Sequence, residues 1–199
     1  MPVIGITGGI ATGKSSLCAT LRAHARTTFF DADAAAHELS QHNPEVRQAI
    51  AAEFGSAAYT PNGDLNRALI RTMVFADAGK KRALEQILHP RIRRQWSFEA
   101  ERRRHSAELF LADIPLLYET DGETLCDRVV VVACSSDLQL ERLMQRSSLN
   151  RAEAEAMIAG QMPLADKIRR ADHVVWNNGP ARVLAEQAGA LLRLWERIA

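Results

Sequence analysis

Val3 to Ser16 reads VIGITGGIATGKSS, and the reading of that stretch decides the fold. Val3 to Thr7 is a short, mostly apolar run of β-forming residues. A glycine-rich loop follows it at once, and Leu17 and Leu21 start a helical apolar spacing directly behind. Gly8, Gly13, Lys14 and Ser15 satisfy G-x-x-x-x-G-K-[ST] in full. The loop, with Gly8, Gly9, Ala11, Thr12, Gly13, Lys14, Ser15 and Ser16, is expected to turn backbone N–H groups around phosphate oxygens. Glycine permits this because it tolerates positive φ and brings no Cβ. Lys14 should reach the β- and γ-phosphates, and the Ser15 hydroxyl should sit on Mg²⁺. A helix starting there adds its positive dipole end. The competing reading is a glycine-rich turn between two core elements. The placement between strand and helix favours nucleotide binding.

The 199 residues fit one large domain or a core with an inserted subdomain, and 47% hydrophobic residues can bury a sizeable core. With 25 basic and 24 acidic side chains the net charge is +1, so no global field favours nucleic acid or a membrane surface. No apolar run approaches the ~18 residues of a membrane span, and no secretory leader pattern is evident. Cys18, Cys126 and Cys134 lack metal-like spacing, which predicts reduced, buried thiols in a cytoplasmic protein.

Behind the first helix (about Ser15 to His24), an extended stretch from Thr27 to Phe30 delivers Asp31-Ala-Asp33. If the sheet is parallel, both carboxylates lie at a strand end, where open α/β sheets bind ligands. One could accept a proton from a hydroxyl nucleophile while the other holds metal or water. The alternative is that Asp31 caps a helix starting near Ala32. From Ala34 to about Arg104 the pattern is helical. Helices are expected over Pro44 to Phe54, from Asn66 to Phe75 and from Gly79 to Ile87, with a turn at Tyr59 to Asp64. Pro90 is expected to interrupt, and a further helix to resume at Arg91. His89, held extended before Pro90, reads as a structural histidine or as a ring pointing out of the layer. The Arg102-Arg103-Arg104 run reads as a solvated helix face.

Glu108 to Asp113 is a strand closing on an acid, which places Asp113 as a metal-side acid or as a turn residue before Pro115. Arg128 to Ala133 is a fully apolar strand of the buried parallel kind. Ser136 to Arg146 is a helix with Arg142 and Arg146 on one face, followed by a second from about Arg151 to Gln161. The pair reads as a lid that brings arginines to a transferring phosphoryl group, or as an ordinary surface helix pair. His173 to Trp176 is the last strand, Asn177-Asn178-Gly179 a turn near a purine or a plain turn, and Ala181 to Ile198 a closing helix. The expected fold is therefore α/β: a P-loop kinase core of about five parallel strands flanked by helices (about 1–33, 107–135 and 171–199). A helical acceptor-binding insert (about 34–106) and a helical lid (about 136–170) complete it.

No N-K-x-D guanine motif is present and the segment between the first two strands is too short for the usual switch regions, which excludes the switch GTPases, and there is no large motor or AAA-type body. A phosphate loop, D-x-D, a helical insert and an Arg-bearing lid suggest a small-molecule kinase. The chain resembles the dephospho-coenzyme A kinase family. The resemblance rests on Thr7 to Ser15, Asp31-Ala32-Asp33 with Ala36-His37, Asn66-Arg67 with Phe75, and Leu88-His89-Pro90. It continues through Asp113-Ile114-Pro115-Leu116-Leu117 with Glu119, then Gln139, Arg142-Leu143, Arg146, Ile158, Gln161, Ala171-Asp172 and Asn177-Asn178-Gly179. It implies transfer of the γ-phosphoryl of Mg·ATP to the ribose 3′-hydroxyl of dephospho-CoA. The sequence leaves the oligomeric state open, with a monomer expected. The resemblance further implies Asp33 as base or orienting carboxylate, Lys14 and Arg146 on the phosphoryl charge, and Ser15 on Mg²⁺. Asp31, His89 and Arg91 would lie near the acceptor, with Asp113 on the substrate side, and Asn177 near the adenine. Departures are Ser16 where threonine is frequent, Met157 where arginine is frequent, and a polar, aromatic run at Thr27 to Phe30. Competing functions are a nucleoside monophosphate or shikimate-type kinase and a non-catalytic ATP-binding module.

Overall fold

A computed structural model describes residues 2–24, 27–104, 106 and 108–196. The chain divides into two compact units, Asp31–Ser97 and the remainder, Met1–Phe30 with Phe98–Ala199. In order, the elements are β1 (Val3–Gly8), α1 (Lys14–His24), β2 (Thr27–Asp31), α2 (Ala32–His42), α3 (Pro44–Phe54), α4 (Arg67–Ala76) and α5 (Ala78–Arg103). There follow β3 (Leu109–Asp113), β4 (Arg128–Ala133), α6 (Ser136–Ser147), α7 (Arg151–Ala159), α8 (Leu164–Arg170), β5 (His173–Trp176) and α9 (Ala181–Glu196). The end expected for the closing helix, Ile198, lies outside the described residues.

The larger unit is built on a sheet of order β2-β3-β1-β4-β5, with β1 parallel to β3 and β4, and β4 parallel to β5. β1 is buried along its whole length, and β4 everywhere but Arg128, as expected of strands covered on both faces. Even-numbered residues of β1 and β4 (Ile4, Ile6, Val130, Val132) face Leu17 and Leu21 of α1 and Leu184, Ala188 and Trp195 of α9. On the other face the strand must make room, and Gly5 does so. A Cβ there would stand 2.6 Å from Cys126 Sγ and 2.8 Å from Leu117 Cδ2. Among the described residues no helix is long and apolar enough to cross a membrane.

The Asp31–Ser97 unit has its own core of Leu39, Val46, Ile50, Phe54, Ala58 and Ile70, with Leu84, Ile87 and Leu88 of α5 packed on it. Its helices begin where the sequence offers short polar caps. Asp31 caps α2, its side chain accepting from Ala34 N at 2.9 Å, and Asn66 caps α4 through Leu69 N at 3.1 Å. Asn43 serves two helices. Its backbone N–H closes α2 on Leu39 O at 3.1 Å, and its side chain opens α3 on Val46 N at 3.0 Å, just before Pro44 at the first helical position. The Pro61-Asn62-Gly63 turn is pinned by Arg47, whose Nη1 donates to Gln41 O (2.7 Å) and Gly63 O (2.8 Å). Gly63 has φ 86, which the turn needs.

Two expectations are corrected here. Pro90 does not interrupt the helix: α5 runs unbroken from Ala78 to Arg103 with the proline inside. Proline removes the N–H that would bond to Gln86 O, and in the same turn the Arg91 guanidinium donates to Ile87 O at 2.9 Å. The Arg102-Arg103-Arg104 run is not a solvated face. Arg103 Nη1 donates to Thr28 Oγ1 (3.0 Å) and Glu108 (3.1 Å), and Arg104 donates to Asp127 (2.8 Å) and Leu125 O (3.0 Å). Only Arg102 stays at the surface, on Glu99.

Because Asn43 satisfies both helices, Asn43→Ala is expected to lower unfolding free energy by about 1 kcal/mol. A shifted urea midpoint with an unchanged slope is the measurement. An unmoved midpoint would deny the side-chain cap its weight.

Candidate active site

In the loop between β1 and α1 only one of the three glycines, Gly13, uses the positive φ expected of them, and Ala11 supplies the other. Ala11 has φ 60 and Gly13 has φ 94, so the chain turns through left-handed backbone twice within three residues. Gly13 is required twice over, since a Cβ there would also stand 1.9 Å from Asn177 Nδ2. Gly8 allows close approach of a different kind: a Cβ would meet Val132 O at 2.5 Å. Ser16 N and Leu17 N both turn back to Gly13 O, at 3.0 and 3.2 Å. The amides of Lys14 and Ser15 are among the donors that a helix start leaves without an intrahelical partner, a setting that favours an anion.

Three side-chain amides from downstream brace the loop. Gln139 in α6 donates to Ile10 O at 2.8 Å, and Gln161 accepts from Ile10 N at 3.0 Å. Buried Asn177 donates to Thr12 O at 3.0 Å. Within the loop, Thr12 Oγ1 donates to Gly9 O at 2.9 Å. Asn178 is used alongside, accepting from Ser135 N at 2.8 Å. In the sequence Gln139 and Gln161 contribute only to a family resemblance, and nothing in their spacing tells a brace from a surface amide.

Lys14 and Asp113 form an ion pair through Nζ and Oδ1, with both side chains mostly buried. Parallel pairing of β1 with β3 sets Asp113 beside Ile6, two residues before the loop. The other carboxylate oxygen accepts from Cys18 Sγ at 3.3 Å. Burial pushes the Cys18 thiol up to about 12, with the Asp113 charge adding to the effect and Lys14 and Arg22 opposing it. Arg142 of α6 is half-buried, and its Nη1 is buried with no hydrogen-bond partner among the described residues. An unpartnered guanidinium nitrogen is costly unless an anion completes it. Arg146, four residues on, is exposed. Ser15 and Ser16 are exposed at the helix start. Among the described residues no group of three or more His, Cys, Asp or Glu is arranged around a metal site. A magnesium ion here would rest on a hydroxyl and on the phosphates it accompanies, as that ion ordinarily does.

The remaining expected residues belong to the Asp31–Ser97 unit. Asp33 and His37, exposed and one turn apart on α2, line a cavity of about 190 Å³ together with Ser40 and Arg67. Leu65, Ile70, Leu84 and Leu88 line its apolar part. Its volume is below the ~300 Å³ at which ordinary ligand pockets begin, so it suits part of a ligand. Asp31 is occupied as the α2 cap. His89 is half-buried in α5, and Arg91 faces Glu45 at 3.6 Å; neither lines the cavity.

Lys167 of α8 is a feature that no sequence pattern announces. It is fully buried, ion-paired to Glu119 at 2.9 Å, and donates to Pro115 O (3.1 Å) and Gly8 O (3.4 Å). In LADKIRR it is one basic residue among three, and nothing local sets it apart.

Residues 2–182 match a family model described as dephospho-CoA kinase. Named dephospho-CoA kinases among curated relatives include one from Anaeromyxobacter dehalogenans, 45% identical over 193 residues (96% of this chain, 91% of the relative). Another, from Symbiobacterium thermophilum, is 42% identical over 180 residues (90% and 75%). A crystal structure of a Thermus thermophilus protein superposes with TM-score 0.76 at 33% identity, covering 96% of this chain and 97% of that one. A dephospho-CoA kinase structure from Campylobacter jejuni shares the fold with TM-score 0.75 at 22% identity, covering 98% and 97%.

A pH dependence follows from two of the thiols, buried Cys18 and half-buried Cys126. Cys18 and Cys126 are both pushed from 9.0 to about 12, chiefly by burial. Between those values the unfolded chain has lost thiol protons that the folded chain keeps, so stability is full below pH 9 and falls as pH rises toward 12. Urea midpoints measured across that window should decline, and Cys18→Ala should shallow the decline without abolishing it, because Cys126 remains. A slope unaffected by Cys18→Ala would mean that the thiol ionises alike in both states.

Proposed function

The chain belongs to the dephospho-CoA kinase family, and on that premise we propose that it transfers the γ-phosphoryl group of ATP to the ribose 3′-hydroxyl of dephospho-CoA. The products are CoA and ADP, in the last step of coenzyme A synthesis. The observation that carries the reading is the braced loop with Lys14 held against Asp113 at its foot. An ammonium already desolvated beside orphan helix amides is ready to exchange or share its partner when phosphates arrive.

Phosphoryl transfer needs positioning and charge neutralisation more than covalent help. The loop amides and Lys14 bind the β- and γ-phosphates. Arg142, with its unpartnered buried nitrogen, and exposed Arg146 come from the α6–α7 lid to the charge that spreads over the transferring group. Ser15 offers the hydroxyl for Mg²⁺, which when bound neutralises phosphate charge. Asp113, whose two oxygens are engaged by Lys14 and Cys18, serves the donor side. Asn177 acts through the loop it braces, under the nucleotide.

The Asp31–Ser97 unit takes the acceptor. Asp33 on the cavity rim orients the 3′-hydroxyl and receives its proton late, as a carboxylate can when bond making is well advanced. The apolar side of that cavity and Arg67 suit an ester of mixed polar and apolar character, of which one portion fits the volume. Asp31 supports Asp33 by starting the helix that carries it. His89 and Arg91 are assigned to the outer part of the acceptor. The reading takes the protein to work as a monomer in the cytoplasm.

Incubation with Mg·ATP and, separately, dephospho-CoA, CMP, UMP and shikimate tests the proposal. ADP is expected with dephospho-CoA alone. ADP formed only with a nucleotide or shikimate would move the acceptor to another class, and ATP binding without any transfer would leave a binding module. Asp33→Asn is expected to lower kcat by roughly 10²- to 10⁴-fold while ATP affinity stays near that of the unaltered protein. Near-normal turnover in that variant would reduce Asp33 to a first-turn helix residue.

A further inference from the structure

Lys167 has no part in the chemistry above, yet it is the one lysine among the fully buried large side chains of the described residues. A methionine of similar length would fill the space without taking a charge out of water. What the ammonium supplies is therefore its bonds, and their location is specific. Strand β3 ends at Asp113, where Ile114 N donates to Ile6 O at 3.0 Å. In the same register the next donor on that side would be Leu116 N, but the strand has ended and the chain is in a turn from Pro115 on. By strand alternation Gly8 O points to the same side as Ile6 O, two residues on, where no strand donor continues.

Lys167 Nζ stands in for that missing donor. It reaches Gly8 O at 3.4 Å and Pro115 O at 3.1 Å, and Thr7 Oγ1 donates to Pro115 O as well, at 2.9 Å. Glu119 supplies the countercharge at 2.9 Å and accepts Met162 N at 3.0 Å with the same Oε1. Met162 follows Gln161, whose side chain holds Ile10 N. One buried cation and one carboxylate thus join the last residue of β1, the turn after β3 and the segment between α7 and α8.

We infer that Lys167, balanced by Glu119, is a positioning residue of the donor site: it sets the direction in which the phosphate loop leaves β1 and so aims loop amides it does not touch. The inference rests on the reading of that loop as the donor site. Its action is on nucleotide, and the acceptor is bound by residues of the other unit.

The experiment compares the full chain with Lys167→Met and with Lys167→Met/Glu119→Gln. The readouts are Mg·ADP affinity by calorimetry, KM for ATP and for dephospho-CoA, and thermal midpoint. Lys167→Met should weaken Mg·ADP binding and raise the ATP KM by about 10- to 100-fold, the size of effect that sub-ångström misplacement produces. The KM for dephospho-CoA should stay near its original value. The single variant leaves Glu119 without its countercharge, in a side chain 22% exposed, so its midpoint should drop. The double variant should regain the midpoint and keep the nucleotide defect. If nucleotide affinity returns together with the midpoint, or is unchanged in a folded Lys167→Met, the pair is merely structural and the inference falls. Should Lys167→Met fail to fold, the double variant gives the same answer. Mg·ADP binding needs no acceptor, so an unaltered protein that binds it but does not phosphorylate dephospho-CoA would overturn the proposed acceptor and leave this inference standing.

Discussion

A loop that turns its own N–H groups toward an anion cannot use those groups to hold itself together. That constraint organises the larger unit of this chain. The loop from Gly8 to Lys14 keeps only one small turn of its own, Thr12 donating to Gly9 O, and is otherwise steadied from outside, by Gln139 and Gln161 on the two backbone groups of Ile10 and by Asn177 on Thr12 O. Below it, Asp113 holds the Lys14 ammonium, and Cys18 occupies the second carboxylate oxygen. Each of the three amides comes from a different downstream segment: α6, the link between α7 and α8, and the turn after β5. Loop geometry therefore depends on the order of strands in the sheet, because β3 and β4 flank β1 and carry the segments beyond their own C-terminal ends to the end of β1.

The braces are chemically uniform for a reason. An amide side chain offers both a donor and an acceptor without a charge, so it can satisfy a backbone carbonyl or a backbone N–H of the loop without adding a charge there. The cations are handled differently: Lys14 is paired with Asp113 and Lys167 with Glu119, while one buried nitrogen of Arg142 has no hydrogen-bond partner among the described residues. The Asp31–Ser97 unit follows a different plan. It has its own apolar core, helices started by Asp31, Asn43 and Asn66, and a cavity whose wall sets Asp33, His37, Ser40 and Arg67 against aliphatic side chains.

Much of this was legible because the signals are local. The loop motif, the apolar strands at Val3 and Arg128, the helix starts near Pro44 and Asn66 and the Asn-Gly turn all depend on neighbours within a few residues. The misreadings arose where distant partners override a local rule. Pro90 reads as a break, yet α5 is long enough on either side, and packed well enough on the helical core, to carry one lost backbone bond. Arg103 and Arg104 read as solvent-facing because their partners, Thr28, Asp127 and Leu125, lie 75, 23 and 21 residues away. Lys167 gave no signal, since its partners are 48 to 159 residues distant and two of them are backbone carbonyls, which any sequence provides.

The amino-acid sequence by itself determined the class of the protein: a parallel α/β core with a phosphate loop, a helical insertion and a pattern of blocks shared with one kinase family. Those features are written in residue type at fixed short spacing, where backbone geometry leaves few alternatives. The tertiary structure alone decided how the loop is held, which oxygens of Asp113 are engaged, and that a lysine is buried beneath Gly8. Side-chain partners at long sequence separation follow from strand order and burial, and neither is encoded in any single stretch of the chain.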